Sequence, residues 1–152
     1  MRSARSTTAA SPAGSSGRAS VVPEPWSPTV ATAIHGAVPQ VIYTRPEVAS
    51  VGRTEAETRQ ADLRVRVVRI PIEVSGASVH ADDYEGTAQI VVDKDRRVIV
   101  GATFVGPDVG EMLHSATIAV VGEVPVDRLW HAVPAFPSVS EVWLRLLEAY
   151  GL

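Results

Sequence analysis

The segment WHAVPAFPSVSEVWLRLLEAYGL, residues 130–152, carries the strongest structural signals in the chain. Pro134 and Pro137 fix φ and lack backbone N–H donors, so the chain around them is predicted to be extended. Ser138 and Glu141 have the spacing of a capping box, in which each side chain bonds the backbone of the other residue. This spacing predicts a helix that begins directly after Ser138.

The predicted final helix is amphipathic. Its apolar positions recur at helical spacing and are Val142, Trp143, Leu146, Leu147 and Tyr150. Arg145 and Glu148 fall on the opposite face, and Gly151 suits the end of a helix. An apolar face of this size is expected to dock, either onto the domain's own sheet or onto a partner.

Length and composition place the chain among ordinary globular domains. Its 152 residues are 45% apolar and 20% charged, with a net charge of −3, which gives no indication of a nucleic-acid partner. No apolar run approaches the roughly 18 residues of a membrane span, and we expect a cytoplasmic protein. The absence of cysteine excludes a disulfide framework, a thiolate metal site and a dithiol redox pair within this chain.

Residues 1–36 differ in composition from the rest of the chain. They are rich in Ser, Ala, Pro and Arg, contain no acidic residue before Glu24, and show no apolar periodicity. Such a segment cannot bury enough surface to offset its ordering entropy, so we predict a disordered leader followed by one domain over residues 37–152. An altered translation start and an organelle transit peptide are the alternatives for this segment.

The remaining pattern predicts an α+β domain, an antiparallel β-sheet with helices packed on one face. Alternating apolar residues predict strands over 38–43, 64–72, 86–93 and 97–105. Helices are predicted over 54–60, where Thr54 and Glu57 form a capping box, over 108–122, where Asp108 and Glu111 form another, and over 126–130. Residues 73–84 are predicted to be a polar loop.

Three stretches, in the same order along the chain, match known motifs. They are VPQVIYTRPEVASVGRTEAE at 38–57, RRVIVGATFVGPDVGEMLHSATIAV at 96–120, and FPSVSE at 136–141. The first resembles T-x-P-E-x-A-x-V-G-x-T-E, the second a hairpin strand and the helix after it, and the third His-Pro-Thr-x-(Ser/Ala)-Glu. With these three stretches the chain resembles the C-terminal dimerisation domain of the pyridine nucleotide-disulfide oxidoreductases, the group of dihydrolipoamide dehydrogenase, glutathione reductase and mercuric reductase.

The resemblance implies roles for the tail motif and shows one departure from the family pattern. In the family, the motif His exchanges a proton with the active-site thiol, and the motif Glu orients it. Here Phe136 stands at the His position, so this acid–base group is missing, while Glu141 matches the Glu. We therefore interpret Glu141 as the cap partner of Ser138. His131 is a weak substitute, because its position does not match the motif.

The resemblance also implies where cofactors and partners lie. The family binds FAD and NAD(P) in domains that this chain lacks, and no Gly-rich dinucleotide fingerprint is present here, so we predict no cofactor in this chain. Phe136 and Pro137 are predicted contacts to a partner subunit's flavin. The interface is predicted to be formed by Trp143, Leu146, Leu147 and Tyr150.

The other histidines give weaker hypotheses. His80, Asp82 and Asp83 are clustered, which leaves an independent enzymatic or metal site open, although solvation of a loop explains them equally well. His114 lies on a mostly apolar predicted helix, where a partly exposed position is the favoured interpretation and a dimer contact is the alternative. We predict no metal site, because no histidine and carboxylate set has convincing ligand spacing.

The resulting prediction is a dimerisation domain that supplies a homodimer interface and a wall of the partner's flavin site, inactive alone. Its partner would be a second copy, a full-length relative or a separately encoded flavin domain. The alternative is a free-standing homodimerising module, or a gene fragment, with no redox role. Whether the chain acts as part of an enzyme is left open by the missing cysteines, nucleotide motifs and motif His.

Overall fold

Five antiparallel strands form one sheet in the computed structural model, which describes residues 35–152. The order across the sheet is β1-β2-β5-β4-β3. The strands are β1 (Gln40–Ile42), β2 (Glu47–Gly52), β3 (Val65–Pro71), β4 (Thr87–Asp93) and β5 (Val98–Gly106). The predicted antiparallel sheet is confirmed. β2 was not predicted as a strand, and the predicted leader lies outside the described residues except for its last two.

One face of the sheet forms the core, because apolar residues alternate along each strand and meet in cross-strand rows. One row is Val51, Ala102, Ile90 and Val68, and the next is Ala49, Phe104, Ala88 and Ile70. Phe104 is fully buried at the centre of this face. The register of β2, β5, β4 and β3 therefore follows from burial of this alternating set.

The helices cover that same face. They are α1 (Glu55–Gln60), α2 (Ser75–His80), α3 (Leu113–Val121), α4 (Val126–Leu129) and α5 (Val142–Tyr150), with 3₁₀ turns at His35–Ala37, Val109–Met112 and Val139–Glu141. α3 packs on β2 and β5, and α5 packs on β3 and β4. The two helices are neighbours, since the indole Nε1 of Trp143 donates to the hydroxyl of Ser115 at 3.1 Å.

The local capping signals are accurate at the start of α1 and at the end of α5. The Thr54–Glu57 capping box is present at α1, and Gly151 ends α5 in the left-handed region with φ 104°. The predicted Asp108–Glu111 cap is wrong. Asp108 itself adopts a left-handed conformation, and its side chain makes no capping bond to the 3₁₀ turn that follows.

The predicted loop over residues 73–84 is also wrong, because it contains α2. Gly76 and Ala77 of this helix are buried. α2 packs against the 3₁₀ turn Val139–Glu141, which lies far away in sequence. A long-range contact thus specifies a helix whose own sequence shows no apolar periodicity.

The apolar face of α5 docks onto the domain's own sheet. Leu146, Leu147 and Tyr150 are no more than 8% exposed. Of the four residues assigned to a dimer interface, Trp143 is the one that keeps appreciable surface, since it is only partly buried. Periodicity does not distinguish the two docking alternatives, because both bury the same face. No helix within residues 35–152 is long and apolar enough to cross a bilayer.

Candidate functional site

The tail motif presents its phenylalanine to solvent. Phe136 is 76% exposed and Val133 is 80% exposed, on the irregular segment that joins α4 to α5. The Phe136–Pro137 peptide bond is cis. Residue 136, which the motif resemblance aligns with a histidine, therefore projects from the domain. Its side chain is exposed and can contact a partner.

Glu141 holds the tail motif in place through two backbone donors. Its Oε1 accepts from the N–H of Ser138 at 2.9 Å and from the N–H of Gly76 in α2 at 3.2 Å. The bond to Ser138 completes the predicted capping box. The bond to Gly76 spans 65 residues and was not predicted, because α2 itself was not. The carboxylate thus joins the tail to α2.

Gly76 allows the close approach that this bond requires. A Cβ atom at this position would lie 1.9 Å from the carbonyl carbon of Ser138 and 2.2 Å from its oxygen. Both contacts are with backbone, so no side-chain rotation could relieve them. α2 therefore positions the tail motif only because residue 76 has no side chain.

Removing the Glu141 carboxylate is expected to loosen this junction. Glu141→Ala leaves the two N–H groups without their acceptor, which should cost about 2 kcal/mol of unfolding free energy. Glu141→Gln retains an amide oxygen that can accept the same bonds, so it should cost clearly less. Urea denaturation of both variants measures the difference. Equal losses in the two variants would contradict the acceptor role.

An apolar groove opens between the helices and the tail segment. It has a volume of about 210 Å³ and is lined by Ser115, Ala119, Leu129, Ala132, Pro134, Ser140, Trp143 and Leu147. Trp143, one of the lining residues, contacts Phe104 of the core edge to face, with ring centroids 5.8 Å apart. The groove links the surface of α3 to the exposed segment that carries Phe136.

His80 pairs with a carboxylate outside the cluster of His80, Asp82 and Asp83 noted in the sequence. Its Nε2 lies 2.7 Å from Oδ2 of Asp108, which is 28 residues away, and Asp82 and Asp83 are exposed. Asp82 and Asp83 are closer to His80 in sequence. Strands β4 and β5, however, bring the chain back to α2, so that Asp108 lies beside His80. Within the described part of the chain, no three His, Asp or Glu side chains are arranged to hold a metal ion.

Tyr84 lies beside this pair. Its hydroxyl donates to the carbonyl of Pro107 at 2.8 Å. Burial raises the pKa of the Tyr84 phenol, and the nearby charges of Asp108 and Glu47 raise it further, so the group stays a neutral donor at neutral pH. His114 and His131, the other histidines considered as candidates, are both exposed.

Comparison with known proteins identifies the family. A family model described as the pyridine nucleotide-disulphide oxidoreductase dimerisation domain matches residues 38–147. The chain belongs to this family. Dihydrolipoyl dehydrogenase from Chlamydia trachomatis is 33% identical over 109 residues, which are 72% of this chain and 23% of the relative. The enzyme of the same name from Thermus scotoductus is 36% identical over 112 residues, which are 74% of this chain and 24% of the relative.

Solved structures agree with the fold of a pyridine nucleotide-disulfide oxidoreductase dimerisation domain. The HOCl-induced flavoprotein disulfide reductase from Escherichia coli matches with a TM-score of 0.68 and 26% identity, over 74% of this chain and 26% of that one. The α+β prediction and the motif resemblance are both confirmed. The chain spans about a quarter of the length of these relatives.

Proposed function

We propose that the chain forms a two-fold homodimer and supplies the dimer interface of a pyridine nucleotide-disulfide oxidoreductase. The observation that carries this proposal is the match to the family's dimerisation domain, which covers residues 38–147. The described surface offers a suitable face. α3 packs one side on the sheet and leaves Ile118 56% and Val121 45% exposed on the other.

The composition of α3 supports its role as the contact. The helix LHSATIAVV, residues 113–121, contains no Asp, Glu, Lys or Arg. Three of its exposed residues, His114, Ile118 and Val121, follow one helical stripe. The fourth, Ser115, accepts the hydrogen bond from Trp143 of α5. Surface helices of monomers normally carry charges, whereas the centres of interfaces are depleted of them. A two-fold axis beside this stripe would pair it with its own copy, as an isologous interface requires.

A charge placed in this stripe should separate the dimer. Ile118→Glu brings two carboxylates together at the proposed axis and desolvates both, so we expect a monomer at concentrations where the unchanged protein is dimeric. Val79→Glu is the matched control, because Val79 is 74% exposed on α2, away from α3. Light scattering after size exclusion measures the mass of each. A monomeric unchanged protein, or a dimeric Ile118→Glu variant, would contradict the proposal.

Within an intact enzyme, the exposed tail motif is proposed to form part of the partner's flavin site. Phe136 and Pro137 lie on the projecting segment beside the groove and would contact the partner's flavin, with FAD and NAD(P) held by domains other than this one. Phenylalanine carries no proton, so it could pack and exclude water but not exchange a proton. The chain alone is proposed to be inactive.

Visible absorbance tests this part of the proposal separately. The purified chain, mixed with flavin adenine dinucleotide and passed through a desalting column, is expected to elute without flavin absorbance. Added to a flavin-domain relative, it is expected to co-elute as a coloured mixed complex. Flavin bound to the chain alone would overturn the assignment of the cofactor to other domains, and the mass measurement on Ile118→Glu would be unaffected.

A further inference from the structure

The pocket between α2 and the turn after β5 brings an imidazole, a carboxylate and a phenol together. It has a volume of about 180 Å³, and its walls include His80, Tyr84, Asp108, Met112 and Val139. Met112 and Val139 give it an apolar side. The pocket is separate from the exposed α3 stripe, and its chemistry does not depend on the dimer proposed above.

The imidazole of His80 is oriented from two sides. Its Nε2 lies 2.7 Å from Oδ2 of Asp108, and its ring meets the Tyr84 ring edge to face, with centroids 5.8 Å apart and an interplanar angle of 76°. A carboxylate can only accept, so the ring donates through Nε2–H. A neutral imidazole with its proton on Nε2 carries a free lone pair on Nδ1.

Asp108 is committed to this pairing. It precedes the 3₁₀ turn Val109–Met112, where an aspartate would normally cap the backbone N–H groups, yet it makes no capping bond. Its backbone is left-handed, at φ 52° and ψ 24°. Aspartate adopts this conformation more readily than most residues, and Asp62, Arg97 and Glu123 adopt it as well. The Asp108 carboxylate therefore bonds the His80 imidazole and does not cap the 3₁₀ turn.

Both groups remain accessible to a dissolved molecule. The His80 side chain is 41% exposed and the Asp108 side chain is 64% exposed. A purely structural ion pair in such a position contributes little to stability, because water screens it. An oriented imidazole with a carboxylate behind it is, in contrast, an arrangement that general acid–base catalysis uses, because the carboxylate fixes the ring's orientation and tautomer.

We propose that His80 and Asp108 form an acid–base site that acts on a small uncharged acyl compound bound against Met112 and Val139. Asp108 and Glu111 at the rim make the pocket unfavourable for anions. In the proposed step, Nδ1 of His80 takes a proton from water as the water oxygen bonds to the acyl carbon. The bond from that carbon to its leaving oxygen then breaks, the leaving group departs as its anion, and His80 releases the proton to solvent.

Cleavage of p-nitrophenyl acetate by the full chain tests this site. His80→Gln is expected to lower the protein-dependent rate about 100-fold, the lower end of general-base contributions. Asp108→Asn removes the charge behind the ring and should cause a smaller loss. His131→Gln, a change at an exposed histidine outside the pocket, should leave the rate unchanged. Circular dichroism of each variant checks the fold.

Equal rates in the unchanged protein and in a folded His80→Gln variant would overturn the proposal. If His80→Gln fails to fold, the unchanged protein still decides the matter through its reaction with diethyl pyrocarbonate, mapped by mass spectrometry. Loss of the cleavage rate in step with modification of His80, and not of His131, is expected. A rate that survives complete modification of His80 would also overturn the proposal.

Discussion

Gly76→Ala is expected to destabilise the domain by about 3 kcal/mol, the upper end of the usual cost of overpacking. Alanine is the better helix former by about 1 kcal/mol, so propensity alone predicts a gain for α2. The steric clash is expected to outweigh this gain in helix propensity, because the new Cβ would lie 1.9 Å from the carbonyl carbon of Ser138. Relief requires the whole tail to move away, which also breaks the bond from the Gly76 N–H to Glu141.

Gly110→Ala is the matched control for this substitution. The Cβ it adds would meet Cγ1 of Val41 at 3.5 Å, an ordinary van der Waals contact. Its effect should stay within about 0.5 kcal/mol, as for most tolerated surface changes. Urea unfolding of both variants gives the comparison. A Gly76→Ala variant as stable as Gly110→Ala would mean that the tail does not approach α2 as closely as the structure shows.

The contrast between α1 and α2 shows what the sequence alone can predict. α1 has a local signal, since Thr54 and Glu57 satisfy each other's backbone within one turn. α2 lacks a capping side chain at its N-terminus and depends on contacts with the tail. Local chemistry is visible in the sequence, whereas packing between segments 65 residues apart becomes visible only when the sheet has been assembled.

The candidate sites show the same difference between local signals, which the sequence reveals, and long-range contacts, which it does not. The motif residues Phe136 and Glu141 are identifiable from their spacing, and so is the capping bond to Ser138. The carboxylate that pairs with His80 is not, because Asp82 and Asp83 are closer in sequence and Asp108 matches the pattern of a helix cap. One signal could have pointed to Asp108, since it follows the Gly106–Pro107 pair that turns the chain at the end of β5.

The exposed Phe136 and the retained Glu141 together suggest why the motif keeps its shape without its histidine. Glu141 bonds the backbone of Ser138 and Gly76, so its structural role does not require a partner at residue 136. The tail can therefore hold its conformation while residue 136 changes its chemistry. The bonds of Glu141 and the exposed side chain of residue 136 therefore belong to separate parts of the motif.

Leu146→Ala is expected to reduce the unfolding free energy by about 3 kcal/mol, a typical cost for a buried leucine. Leu146 is fully buried where α5 packs on β3 and β4, so the deletion leaves a cavity inside the domain. Leu144→Ala makes the same chemical change on the same helix at a partly exposed position, and should cost about 1 kcal/mol, because less apolar surface returns to water.

Protein concentration separates a core role for Leu146 from an interface role. A residue that stabilises the fold loses the same free energy whether the chain is dimeric or diluted into monomers, whereas a residue in the interface loses it only in the dimer. We therefore expect the Leu146→Ala deficit to be the same in urea titrations at high and low protein concentration. A deficit that disappears on dilution would return Leu146 to the interface and would require α5, rather than α3, to lie at the two-fold axis.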